Sequence, residues 1–201
     1  MRITLLGDSI CAGYGVRCDR AWATILAKTL GIGLRNAGIS GDTAQDGLRR
    51  LPALLEQTPD LLYVQFGLND AWLSLPLSQY IYAMRQILDK ALEGGVQTII
   101  VGTNHPVCPT EAQILAEGAA YPKAVTRFNA ALRDILAPPG SRLILADIES
   151  WIAGLSPAGQ ALLLQADGVH LSEAGNAFYA QHLEPLFRAA SARPASPKNR
   201  R

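Results

Sequence analysis

Short apolar runs alternate with amphipathic stretches along almost the whole chain. Ile3–Leu6, Leu34–Ala37, Leu61–Phe66, Thr98–Gly102 and Leu143–Ile148 are brief, apolar or β-branched and bounded by turn-forming residues, which is the pattern of buried strands. Helical periodicity fills the gaps at Trp22–Leu30, Thr43–Glu56, Leu77–Leu92 and Lys123–Leu136, with a last helix from Glu173 to Ala190. Ile81, Met84, Leu88 and Leu92 fall on one helical face, as do Leu183 and Phe187, so these stripes are expected to be core. Pro52 lacks the N–H that a helix interior needs and Gly47 costs backbone entropy, so the helix at Thr43–Glu56 is expected to kink or end early. Five strands alternating with helices, joined by right-handed crossovers, predict an α/β protein: a parallel five-stranded sheet inside a three-layer α/β/α sandwich.

Composition narrows the functional classes. With 201 residues, 49% of them hydrophobic and 17% charged, the chain is large enough to bury one good core, and a single domain is expected over residues 1–190. The Ser, Pro and basic residues of Ser191–Arg201 predict a disordered basic tail. A formal net charge of +1 supplies no long-range field, which argues against nucleic acid or an anionic membrane surface as a partner. Strand-like sequence follows Met1 at once and no apolar run reaches membrane-spanning length, so a cytoplasmic protein without membrane insertion is expected. Cys11, Cys18 and Cys108 are odd in number, as suits reduced thiols better than a disulfide framework. Nothing in the pattern specifies an oligomeric state.

In such a fold the chemistry collects on loops at the carboxyl edge of the sheet. Four candidate loops lie there: Gly7-Asp8-Ser9, Gly38-Ile39-Ser40-Gly41-Asp42, Gly67-Leu68-Asn69-Asp70 and Asp167-Gly168-Val169-His170. Converging on one edge, they would supply a hydroxyl, backbone N–H groups, a neutral amide donor and an acid–base pair, the inventory of an acyl-transfer site. Each loop alone is also ordinary turn chemistry.

The blocks GDS, NAGISGDT, GLND and DGVH, in this order and over most of the chain, resemble the signature blocks of the SGNH hydrolases, also called GDSL esterases and lipases. GISGDTAQDGLRRLPALL, and AGYG followed by AWATIL, are similar in pattern to the small single-domain bacterial acyl-CoA thioesterases and lysophospholipases of that superfamily. The resemblance implies a flavodoxin-like sheet order 2-1-3-4-5. It also implies a serine hydrolase that needs neither metal nor other cofactor and cleaves a small-molecule carboxylic ester or thioester through an acyl-enzyme.

Position by position, the resemblance makes Ser9 the nucleophile, His170 the general base and Asp167 its orienting partner. The oxyanion hole would consist of the Ser9 N–H, the Gly41 N–H and the Asn69 side-chain amide. Physical chemistry agrees with each role. A serine hydroxyl is a poor nucleophile unless a base with a matched pKa takes its proton, and imidazole, near ~6.5 when unperturbed, is that base. Asp167 precedes His170 by three residues, close enough for one turn of chain to bring its carboxylate to one ring nitrogen. Glycine at position 41 permits close approach of a backbone N–H or a positive φ, and an amide such as Asn69 is a donor that no titration switches off. Asp8, Asp42 and Asp70 are expected to hold loop N–H groups.

The segment from Thr103 to about Tyr121 departs from the nearest pattern and reads as a long loop. His105 and Pro106 within it, with Trp72, Leu73, Leu75 and Leu77, are expected either to wall an apolar acyl or aryl pocket or to pack the loop on the sheet. Rival readings are weaker. A zinc site from Cys11, Cys18, His105 and Cys108 would have to bridge strands roughly 10 Å apart. A dinucleotide fingerprint at Gly13-Tyr14-Gly15 meets Cys18 where its third glycine belongs. An acyltransferase with the same residues, or a catalytically silent interaction domain, are the remaining alternatives, and only the first would keep Ser9, Asp167 and His170 for a chemical reason.

Overall fold

The computed structural model describes residues 1–108, 120–136 and 142–192. Five parallel strands, β1 (Ile3–Gly7), β2 (Leu34–Gly38), β3 (Leu61–Gln65), β4 (Thr98–Gly102) and β5 (Leu143–Ala146), form one sheet in the order β2-β1-β3-β4-β5. In chain order the helices are α1 (Ser9–Ala12), α2 (Trp22–Leu30), α3 (Ala44–Leu55), α4 (Leu68–Trp72), α5 (Leu77–Glu93), α6 (Ala120–Leu136), α7 (Ile148–Ala153), α8 (Pro157–Leu162) and α9 (Glu173–Ser191). The expected sheet order and the alternation of strands and helices are both present.

Period-two alternation assigns the two faces. Ile3, Leu5, Leu61 and Tyr63 point to one side, onto Trp22 and Leu26 of α2 and Leu183 and Phe187 of α9. Leu6, Leu62 and Val64 point to the other, onto Leu51 of α3, Met84 and Ile87 of α5, and Phe128 and Leu132 of α6. Every residue of β1, β3 and β4 is buried, whereas the edge strand β2 carries exposed Arg35 and Asn36. A fully buried Leu stabilises by roughly 1.5–3 kcal/mol, and two such layers make the sheet a rigid base for the loops at its edge.

The helix around Pro52 neither ends nor shortens there: α3 runs from Ala44 to Leu55, opened by a capping box in which Thr43 and Asp46 exchange hydrogen bonds. Gly47 has a packing reason, because a Cβ at that position would enter the Phe66 ring. The third and fifth strands stop earlier than expected, since Phe66 leaves the ladder and Ile148 already opens α7. Among the described residues no helix is long and apolar enough to cross a membrane. Most of the expected tail, 193–201, and the centre of the expected loop, 109–119, lie outside the described residues.

Candidate active site

The end of β1 hands the chain directly to α1. Asp8 caps that short helix by accepting from the Ile10 N–H at 2.9 Å, and Ser9 is its first residue. Two long-range bonds fix the turn: the Trp22 indole N–H donates to the Ile10 carbonyl at 2.8 Å, and Asn176 of α9 accepts from the Trp22 N–H at 2.9 Å. Ser9 is therefore held at the carboxyl edge, buried but for 7% of its surface, where it lines a small crevice.

On the far side of that hydroxyl stands the loop before α9. His170 Nε2 lies 3.0 Å from Ser9 Oγ, and His170 Nδ1 lies 2.6 Å from Asp167 Oδ2. A carboxylate only accepts, so Nδ1 carries the proton and the bare Nε2 faces the serine O–H. Asp167 also accepts, through Oδ1, from the N–H groups of Val169 and His170, both at 2.9 Å. Burial alone would raise the Asp167 pKa, but the His170 ring and these two N–H groups outweigh it and hold the carboxyl below the usual range. The loop is closed by a bridge between Leu164 and Leu171 and by Gln165, whose N–H donates to the His170 carbonyl at 2.7 Å.

The other two loops converge on the same edge. Gly41 has φ +88°, a backbone geometry that an L side chain rarely adopts, and its Cα faces open space. Arg50, on α3, ties this loop to both neighbouring strand ends: it pairs with Asp42 at 2.6 Å and donates to the carbonyls of Ala37 at 2.8 Å and Gly7 at 3.3 Å. Asn69, in the first turn of α4, donates through Nδ2 to the Asp42 carbonyl at 2.9 Å, and the neighbouring Asp70 accepts from the Ala44 N–H at 3.1 Å. Asp8 and Asp70 hold loop N–H groups as expected, whereas Asp42 spends its carboxylate on Arg50. Burial, with Asp70 and Asp42 nearby, pushes Asp8 up to about 7, and burial pushes Asp70 up to about 6.

Ser9, Gly41, Asn69, Asp167 and His170 thus meet at one edge. The residues expected to wall a pocket do not behave alike. Trp72, half-buried at the end of α4, packs edge-on against Tyr121 with ring centroids 5.0 Å apart, and Leu73 beside it is 57% exposed. Pro106 is half-buried. His105 requires a correction: it is fully buried, with Nδ1 2.7 Å from Tyr179 Oη and Nε2 2.7 Å from the Val169 carbonyl, so its ring faces the core and not a pocket. A small crevice beside Ser9 is lined instead by Gly13, Tyr14 and Leu171, and the exposed Tyr14 ring covers His170 with centroids 4.4 Å apart.

Sequence reasoning assigned no role to Tyr14 or Arg50. Tyr14 belongs to the quoted AGYG and Arg50 to GLRRLPALL, but their partners are 156 and 8 residues away and no periodicity announces them. Cys11 is buried while Cys18 and Cys108 are exposed, and among the described residues no three His, Cys, Asp or Glu side chains gather as a metal-ligand set.

The family model of the GDSL-like lipase/acylhydrolase family matches residues 5–178. The chain is 35% identical over 136 residues to the thioesterase 1/protease 1/lysophospholipase L1 of Escherichia coli, a match covering 65% of this chain and 64% of that protein's length. It is 29% identical over 192 residues to the esterase TesA of Pseudomonas aeruginosa, covering 92% of this chain and 87% of that protein. Among solved structures, the lipase/acylhydrolase from Enterococcus faecalis shares the fold with a TM-score of 0.79 at 23% identity, over 94% of this chain and 95% of that one. The matched span takes in all four loops that meet at the sheet edge, and the chain belongs to the GDSL-like lipase/acylhydrolase family.

Proposed function

We propose that this protein is a serine hydrolase that cleaves carboxylic esters or thioesters of small molecules through an acyl-enzyme. The observation that carries the reading is the continuous path from Asp167 Oδ2 to His170 Nδ1, 2.6 Å, and from His170 Nε2 to Ser9 Oγ, 3.0 Å. Ser9 Oγ adds to the substrate carbonyl carbon while its proton passes to His170 Nε2. The resulting oxyanion accepts from the N–H groups of Ser9 and Gly41 and from Asn69 Nδ2, donors already fixed in place, so little reorganisation is needed as charge develops. Collapse expels the alkoxide or thiolate, which takes the proton from His170. Water, deprotonated by the same ring, then adds to the acyl carbon and releases the acid. Asp167 stays ionised throughout and stabilises the imidazolium.

Relatives named thioesterase, lysophospholipase and esterase support this substrate class. Trp72, which ends the helix that carries Asn69, and Leu73 just after it are the candidates for the acyl wall, together with Pro106. One hydrolase domain over residues 1–190 would carry the activity, and three free cysteines suit a cytoplasmic setting. The test is a panel of aryl esters and acyl thioesters of graded chain length, with and without an added alcohol. Hydrolysis of at least one ester or thioester class is expected. Transfer to the alcohol with no release of acid would favour an acyltransferase, and inertness toward all members would contradict the reading.

A further inference from the structure

His105 does not touch the reacting atoms, yet it ends a buried chain of polar groups that terminates on the loop of Asp167 and His170. The Val169 carbonyl can only accept, so His105 Nε2 donates to it at 2.7 Å, and His105 Nδ1 is left as the acceptor for the Tyr179 hydroxyl at 2.7 Å. The Tyr179 oxygen accepts in turn from Gln65 Nε2 at 3.4 Å, Gln65 Nε2 also donates to the Thr103 carbonyl at 3.0 Å, and Gln65 Oε1 accepts from the Tyr63 hydroxyl at 3.0 Å. Tyr63, Gln65, His105 and Tyr179 are all at most 1% exposed. Donors and acceptors match all along the chain when His105 is neutral, and burial, the largest influence on the ring, lowers its pKa to about 4.

The far end of this chain is one peptide unit from the catalytic pair. Val169 gives its carbonyl to His105 and its N–H to Asp167 Oδ1 at 2.9 Å, and the preceding carbonyl, of Gly168, accepts from the Cys108 N–H at 2.8 Å. The residues leaving β4 therefore clamp both carbonyls of the turn that presents Asp167 to His170. We propose that His105 is a positioning residue for the reaction, its Nε2–H anchoring Val169 so that Asp167 and His170 keep their alignment toward Ser9. The proposal rests on the hydrolase reading above. It assigns a role to a ring that would otherwise be only a satisfied core histidine.

The experiment exploits the different reach of two amides. In His105→Gln the side-chain amide lies near the place of Nε2 and can still donate to Val169, whereas in His105→Asn it lies near Nδ1 and cannot. Both His105 variants are assayed for kcat and KM on an aryl ester, per active site titrated with a phosphonate. Ser9→Ala, which has no serine for the phosphonate to take, is assayed per folded chain, and unfolding midpoints are recorded for all three. A purely structural role would lower the midpoint and leave kcat per titrated site alone. The expected result is a loss of roughly 10- to 100-fold in kcat for His105→Asn with little change in KM, and recovery of most of it in His105→Gln. Equal kcat in the two variants, whether both normal or both impaired, overturns the positioning role while an inert Ser9→Ala leaves the hydrolase reading intact. Full activity in Ser9→Ala overturns both. Should His105→Asn not fold, nitrogen-15 histidine spectra of the unaltered protein decide: one ring must stay neutral and protonated on Nε2 from about pH 8 to about pH 5, and titration of every histidine in that range overturns the proposal.

Discussion

His170 and His105 are both imidazoles at the carboxyl edge of the sheet, and both have each ring nitrogen within hydrogen-bond distance of a partner. They differ in what the partners are and in what lies around them. His170 has a carboxylate behind it, a hydroxyl in front and an exposed aromatic ring across its face. His105 has a phenol and a peptide carbonyl and no exposed surface. A carboxylate stabilises the imidazolium, so a proton can be taken and returned, while a buried ring with only neutral partners is held neutral and serves as a fixed donor. In the proposed roles the same side chain is a base in one loop and an anchor in the next, and the carboxylate with solvent access makes the difference.

The comparison is broken most severely by removing what faces His170. Ser9→Ala would delete the proposed covalent route itself, and activity is expected to fall by about 10⁶ relative to the unaltered protein, measured as kcat with substoichiometric contaminants excluded by titration. Asn69→Ala removes one of three proposed donors to the oxyanion, so kcat should drop by about 10² to 10³, roughly 3–4 kcal/mol, with KM nearly constant. If Asn69 served only the α4 turn, the unfolding midpoint would fall and kcat per folded molecule would not. Acidification tests the buried ring: burial lowers His105 to about 4, so an acid limb of kcat/KM confined to that region would point to His105, and not the loop facing Ser9, as the group whose protonation stops the reaction.

Asp8 sharpens the electrostatic side of the comparison, because it is a buried acid with an orphaned Oδ2 behind the nucleophile. Between its ordinary value of 3.8 and about 7 the unfolded chain has lost the proton that the folded chain retains, so unfolding releases a proton and this group makes stability fall as pH rises. Asp8→Asn abolishes that titration, and its unfolding free energy relative to the unaltered protein should grow with pH across this window by on the order of a few kcal/mol. A difference independent of pH would remove the burial argument. The smallest effect is expected from the thiols: alkylation of the exposed Cys18 and Cys108 with iodoacetamide, or treatment with chelator, should leave kcat/KM unchanged.

Much of the scaffold was legible because its signals are local. Strand runs such as Ile3–Leu6 and helix stripes such as Ile81–Leu92 need only neighbouring residues, and they led to the correct layers and, through the family resemblance, the sheet order. Elements as short as α1, α4, α7 and α8 escape periodicity, since one or two turns do not complete a pattern. The convergence of Ser9, Gly41, Asn69, Asp167 and His170 was readable because each is a distinctive residue type at a loop, the first three just past strand ends and the last two just before α9. What the sequence hid is long-range polar pairing. His105 looks the same in sequence whether it lines a pocket or reaches Val169, 64 residues away, and Tyr179, 74 residues away. Arg50 looks like a surface charge until Asp42, Ala37 and Gly7 are seen around it.

The central claim is that Ser9 attacks. The most direct measurement is to treat the protein with a phosphonofluoridate probe and locate the adduct by peptide mass spectrometry. One adduct per chain is predicted, on Ser9, with stoichiometric loss of activity and no labelling of Ser9→Ala. An adduct on any other residue, or labelling undiminished in Ser9→Ala, would contradict the account.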